Sequence, residues 1–166
     1  MILVALGSNL VSAEFGSSQR LLESSLNSMK EHGIEVVRRS SWYRSAPVPV
    51  SDQPWFVNGV VQVRADWPPE PLLKALHAVE TEYGRVRLRR NESRTLDLDL
   101  LAYDDRIIDQ PDKLVVPHPR IQDRAFVLLP LDELVPRWRH PVSGLTAREM
   151  LRSLPPGQVV ERLSSD

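Results

Sequence analysis

Ile2 to Leu6 is an unbroken apolar run ended by Gly7-Ser8-Asn9. A run this short, apolar at successive positions, predicts a strand buried on both faces and therefore central in its sheet. Leu22, Leu26 and Met29 then recur at i, i+4 and i+7, with Ser17 and Ser18 as candidate caps and Gly33 placed to end the helix. Ile34 to Tyr43 and Trp55 to Val63 are rich in β-branched and aromatic residues, which predicts two strands paired as an antiparallel hairpin. The connection between them carries Pro47, Pro49 and Pro54, which exclude regular structure and stiffen the backbone, as a binding loop requires. Pro68-Pro69-Glu70-Pro71 fits only a helix start, and Leu72, Leu76, Val79 and Tyr83 form a stripe before Gly84 stops it.

The next pattern has period two. From Leu96 to Leu101 leucine alternates with Asp97 and Asp99, so a strand carries both carboxylates on one face, roughly 6.5 Å apart. Asp104-Asp105-Arg106 reads as a turn and Ile107-Ile108 as a strand returning from it. The order is then βαββαβ, an α+β ferredoxin-like core with a mostly antiparallel sheet and helices on one face. From Pro111 onward the chain is broken by prolines and forms a short C-terminal extension. A short helix is expected near Ile121 to Phe126, a segment from Leu128 to Leu134, a last helix near Thr146 to Leu154, and a fraying tail from Pro155.

Composition narrows the function more than the fold. The chain has 166 residues, and no repeat or linker divides it, so one domain over 1–166 is expected. A formal charge of −1 argues against a protein that coats nucleic acid through bulk positive charge. Cysteine is absent, which removes disulfides and thiolate metal sites and suits the cytoplasm. No basic leader precedes the first apolar run, and none of the runs reaches membrane-spanning length.

The positive charge is concentrated instead. Arg85, Arg87, Arg89, Arg90 and Arg94 fall within ten residues immediately before the aspartate pair. Two bare carboxylates on one strand face repel each other, and a hard divalent cation between them turns repulsion into attraction. Arginines beside such a platform point to a polyphosphate substrate. Alternating leucine and aspartate alone would also describe a one-sided strand with its carboxylates in water; the flanking arginines argue for metal and phosphate.

Several segments then line up as a series: Gly7-Ser8-Asn9-Leu10, Ser41-Trp42-Tyr43-Arg44-Ser45, Asp52-Gln53-Pro54, Phe56-Val57-Asn58, Gly84-Arg85-Val86-Arg87, Arg94 to Leu101, Val116-Pro117-His118 and Arg124-Ala125-Phe126. In this order they resemble the 6-hydroxymethyl-7,8-dihydropterin pyrophosphokinase family over nearly the whole chain. The resemblance implies transfer of the β,γ-diphosphate of ATP to the hydroxymethyl group of a reduced pterin in folate biosynthesis, with release of AMP. It implies two Mg²⁺ ions on Asp97 and Asp99, catalytic roles for Arg85 and Arg94, and ATP contacts from Glu80, Arg87, His118 and Arg124. For the pterin it implies Phe56 and Phe126 around the ring, Asn58 on its polar edge and the backbone of Ser45 to Val48 beside it. It further implies a cytoplasmic monomer whose partners are small molecules, with neither nucleic acid nor membrane.

The sequence departs from the family pattern at Asn91-Glu92-Ser93, where an aromatic and a Gly-Pro pair are usual, and at Val115 and Pro119, where a hydroxyl residue and a tyrosine are common. These departures keep open a divergent paralogue that binds a related pterin with weak transfer. The same fold order serves RNA recognition, but the basic-glycine-aromatic run this would need is missing. A P-loop kinase and a dinucleotide-binding fold are excluded because neither glycine motif occurs. His32, His77, His140, Trp67 and Trp138 read as structural.

Overall fold

The computed structural model describes residues 1–9, 17–47, 52, 54–84 and 96–164. Strand β1 (Ile2–Ser8) lies between β4 (Phe56–Arg64) and β5 (Asp97–Tyr103), antiparallel to both. Helix α1 (Ser18–Glu31) starts at Ser17, whose hydroxyl accepts from the Arg20 N–H, and α2 (Pro69–Glu82) starts on the proline pair. Gly33 and Gly84, at φ of 82° and 79°, follow the two helix ends in the left-handed region that suits glycine. The βαββαβ core is therefore present as expected.

The continuous apolar run of β1 is explained by two cores. Ile2, Val4 and Leu6 pack with α1 and α2, while Leu3 and Ala5 pack with α3 (Ala125–Leu134) and α4 (Ala147–Arg152) on the other face. The C-terminal extension thus supplies a second helical layer. In β5 Leu98 and Leu100 face the first core, and the pairing then slips one residue, so that Leu101 and Ala102, although adjacent, both face the second.

Three local expectations are corrected. The strand expected over Ile34 to Tyr43 divides into β2 (Glu35–Arg39) and β3 (Tyr43–Ser45), both paired with β4. Ser40 makes the break: its N–H donates to Val60 O at 2.9 Å, its hydroxyl accepts from Val60 N at 3.0 Å, and the chain steps aside for the buried Trp42 ring. Ile108 does not return along the main sheet; β6 (Ile108–Gln110) pairs with β7 (Leu114–Val116) around a turn at Pro111, because Leu114 and Val116 are apolar enough to join the first core. The tail beyond Pro155, expected to fray, forms β8 (Val160–Arg162) within its described residues, and this strand covers the open edge of β3.

The segment after Pro117 opens with a short 3-10 turn, Ile121–Asp123, and continues in one helix through Pro130. A proline removes one ladder bond, and burial of Val127, Leu128, Leu131 and Leu134 outweighs that loss. Helix α4 is fixed by a capping box between Thr146 and Glu149, which matches the predicted helix start.

Candidate active site

Pairing register decides which side chains meet. Asp97 lies opposite Gly7, Gly7 opposite Asn58, and Asn58 opposite Tyr43, a row across four strands. Asp99 lies opposite Ala5, and Ala5 opposite Val60, both in the second core, so the two carboxylates face the α3 side of the sheet. Phe56 and Asn58, two apart on β4, share that face. Phe126 joins it from the first turn of α3, half-buried against the second core, with the Arg124 guanidinium 5.6 Å from its ring centre. Asp97, Asp99, Phe56, Asn58, Phe126 and Arg124 therefore share one side of the sheet.

Asn58 is 5 % exposed, and its amide is oriented by a 2.7 Å bond from Nδ2 to Ser45 Oγ. The acceptor Oδ1 is left over Gly7, where a Cβ would approach it to 3.2 Å. Gly7 is thus the floor between the acidic pair and the amide. The sequence showed this residue as the end of a strand and as part of the Gly7-Ser8-Asn9-Leu10 segment, with no place in the site.

Arg124 and His118 answer the carboxylates electrostatically. Burial lowers the Arg124 pKa and Arg120 adds to this, while Asp99 and Asp97 pull it back up. Burial, together with Arg124 and Arg120, pushes His118 down to about 4 against the opposing influence of Asp97. At neutral pH His118 is uncharged. Its Nδ1 accepts from Arg120 N at 3.2 Å, which leaves Nε2 to carry the hydrogen, and its own N–H donates to Leu101 O at 2.8 Å. His118 and Asp99 both line a cleft of about 260 Å³, with Pro119, Leu73 of α2 and the Asp112–Val115 segment. Val115 and Pro119, two positions where this chain departs from the family pattern, lie on that wall.

Glu80 is placed differently. It is 1 % exposed, and its Oε2 accepts from Leu98 N at 2.8 Å, so the carboxylate is directed at the outer edge of β5. Arg85, Arg87, Arg94, Val48, Asn91 and Glu92 lie outside the described residues.

Two carboxylates on one strand face, oxygen donors only, suit Mg²⁺, which keeps part of its shell for water and substrate phosphates and does not need a full protein cage. Among the described residues no group of three metal-ligating side chains occurs. Among them, too, no helix is long and apolar enough to cross a membrane.

The family profile of 7,8-dihydro-6-hydroxymethylpterin-pyrophosphokinase (HPPK) matches residues 3–136. A 2-amino-4-hydroxy-6-hydroxymethyldihydropteridine pyrophosphokinase of Pseudomonas aeruginosa is 42% identical over 168 residues, covering 98% of this chain and 96% of that protein. One of Synechocystis sp. is 46% identical over 122 residues, which are 74% of this chain and 62% of that protein. Among solved structures, the Plasmodium falciparum HPPK-DHPS with pteroate superposes with a TM-score of 0.68 at 14% identity, over 91% of this chain and 41% of that one, and so supports the fold.

Proposed function

The chain belongs to the 7,8-dihydro-6-hydroxymethylpterin-pyrophosphokinase family, and from that premise we propose that it transfers diphosphate from ATP to the hydroxymethyl group of 6-hydroxymethyl-7,8-dihydropterin in folate biosynthesis. The observation that carries this reading is the Asp97–Gly7–Asn58 row, which sets an anionic platform and an oriented amide on one sheet face with a bare glycine between them.

In this reaction the pterin hydroxyl oxygen bonds to the β-phosphorus of ATP, the bond from that phosphorus to the α,β-bridging oxygen breaks, AMP leaves with that oxygen, and the hydroxyl proton passes to solvent water. In this reading Asp97 and Asp99 would hold Mg²⁺, two ions, whose positive charge would neutralise triphosphate oxygens. The protein's own part is positioning and charge. Arg124 sets a guanidinium beside the Phe126 ring and within the field of both carboxylates, and neutral His118 offers an Nε2–H donor from the cleft wall. We assign the ATP triphosphate to these two side chains and the nucleoside to the cleft beyond Asp99. Phe56 and Phe126 hold the pterin ring by its faces, and Asn58 reads its polar edge through an acceptor that Ser45 has already oriented. Arg85, Arg87 and Arg94 complete the phosphate contacts, with Arg85 and Arg94 acting in the transfer, and the backbone from Ser45 to Val48 borders the pterin. Glu80 supports the strand that bears the aspartates. We take the active unit to be a monomeric single domain in the cytoplasm.

The deciding experiment follows AMP formation from ATP and Mg²⁺ with and without the pterin, in wild type and Asp97→Ala. Pterin-dependent AMP that falls by roughly 100-fold or more in Asp97→Ala, with the fold retained, is the expected result. A folded wild type that binds the pterin yet forms no AMP would overturn the transfer reading and leave a pterin-binding paralogue.

A further inference from the structure

The last residues of the chain reach back to the site. Gln158 lies just before β8, beyond the 3–136 segment matched by the family profile. Its Oε1 accepts from Ala125 N at 2.9 Å, and its Nε2 donates to Asp123 O at 2.8 Å. A single side-chain amide thus grips the peptide groups on both sides of Arg124. Arg124 is the residue before the first turn of α3, at φ −122° and ψ 104°, and has no side-chain cap of its own. The Ala125 N–H is one of the donors that a helix start leaves without an intrahelical partner. Gln158 satisfies it from outside the helix.

We propose that Gln158 is a positioning residue that fixes the backbone at Arg124, and through it the direction of the Arg124 guanidinium and the Phe126 ring. The inference rests on the reading of Arg124 as a triphosphate contact. Its physical basis is the two soft dihedrals of Arg124, which both lie between the gripped groups. With the Asp123 carbonyl and the Ala125 N–H held by one planar amide, neither φ nor ψ can swing far without breaking a bond. A long arginine side chain multiplies any backbone rotation at its tip, so a loose Arg124 would lose alignment with Asp97 and Asp99. The amide is itself held in place by strand pairing: Ala46 N donates to Val159 O at 3.1 Å, and β8 pairs with β3 through Val160 to Arg162. The C-terminal strand therefore ties the β3 edge, which also carries Ser45, to the start of α3.

The test is a double-mutant cycle of Gln158→Ala and Arg124→Ala, with Arg162→Ala as a control that loosens the same strand without touching residues 123–125. Gln158→Ala is expected to lower kcat/KM for AMP formation roughly five- to ten-fold in the wild-type background, to leave it unchanged on Arg124→Ala, and to speed exchange of the Ala125 amide. Arg162→Ala is expected to leave kcat/KM near wild type. Equal losses on both backgrounds, or an equal loss in Arg162→Ala, would make Gln158 a merely structural residue and overturn the proposal. If wild type forms no AMP, the diphosphokinase reading fails separately, and the clamp is judged by NMR on the Ala125 amide and the Arg124 side-chain Nε–H. Unchanged signals and exchange in Gln158→Ala would then overturn it.

Discussion

Glu80 Oε2 accepts a 2.8 Å hydrogen bond from the backbone N–H of Leu98, the one residue between Asp97 and Asp99. Among the described residues strand β5 ends the main sheet, so an N–H on its outer side has no neighbouring strand there to bond. Helix α2 supplies the acceptor. We expect Glu80→Ala to cost about 2 kcal/mol of stability, because a buried N–H loses its partner. We also expect it to raise the Mg²⁺ concentration that gives half-maximal AMP formation, with less change in the KM for ATP. Urea unfolding and a Mg²⁺ titration measure the two effects; a rise confined to the KM for ATP would mean that Glu80 serves the nucleotide directly.

Gly7 and Gly59 give opposite expectations from adjacent strands. An added Cβ at Gly7 would meet Asn58 Oδ1 at 3.2 Å, whereas one at Gly59 would meet the Trp42 ring at 2.6 Å. Gly7→Ala is expected to weaken pterin binding about ten-fold with a stability loss near 1 kcal/mol, while Gly59→Ala is expected to cost about 2–3 kcal/mol by overpacking. Pterin fluorescence titration and thermal unfolding on both variants check this, and equal pterin affinity in Gly7→Ala and wild type would refute the floor assigned to Gly7.

Glu133 on α3 accepts from Tyr43 Oη at 2.7 Å and from both the N–H and hydroxyl of Ser41 at 2.9 Å. Burial raises the Glu133 pKa, but the Tyr43 and Ser41 bonds and nearby Arg162 outweigh it and hold the carboxyl below its usual value. The Tyr43 phenol is pushed up, by burial first and then by the carboxylate it donates to. A depressed carboxyl stabilises the fold above its unfolded pKa of 4.5, and that contribution is lost as pH falls through the folded value. Glu133→Gln is expected to lose about 1–2 kcal/mol at pH 7 and to flatten the acid limb of the stability curve, read by denaturant unfolding between pH 3 and pH 7.

His140 gives a further acid-sensitive contribution. It is 9 % exposed, its pKa is lowered from 6.5 by burial, and its Nδ1 accepts from Val142 N at 3.1 Å and Ser143 N at 3.3 Å. Protonation at Nδ1 would remove both bonds. Because the unfolded histidine binds a proton more readily than the folded one, stability is full above pH 6.5 and falls as pH drops from there toward the lowered folded value. His140→Asn, which keeps an acceptor in reach of the same N–H groups, is expected to remove part of that slope. An unchanged slope would assign the pH response to other groups.

Legibility in the sequence differed from element to element. The period of leucine and aspartate over residues 96–101 was enough to place both carboxylates on one strand face, because side-chain direction on a strand follows directly from position. The two helices were readable for the same reason, from their apolar stripes and glycine stops. The split at Ser40 was not, since it depends on a serine hydroxyl replacing a backbone group in a ladder with Val60, two strands' worth of sequence away. The β6–β7 hairpin and β8 were missed because three-residue strands carry too little periodicity to stand out; pairing partners alone define them.

By itself the sequence determined the βαββαβ order and the central place of β1, and it singled out the aspartates, arginines, aromatics and amide that we propose for the site. Local periodicity and residue chemistry are properties of short stretches and survive without a fold. Only the tertiary structure decided the register that sets Asp97, Gly7 and Asn58 in one row, the direction of Glu80 toward β5, and the return of Gln158 to Arg124. These relations join segments far apart in the chain. They are fixed by strand pairing and by the need of buried N–H and C=O groups for partners, which no single stretch can specify.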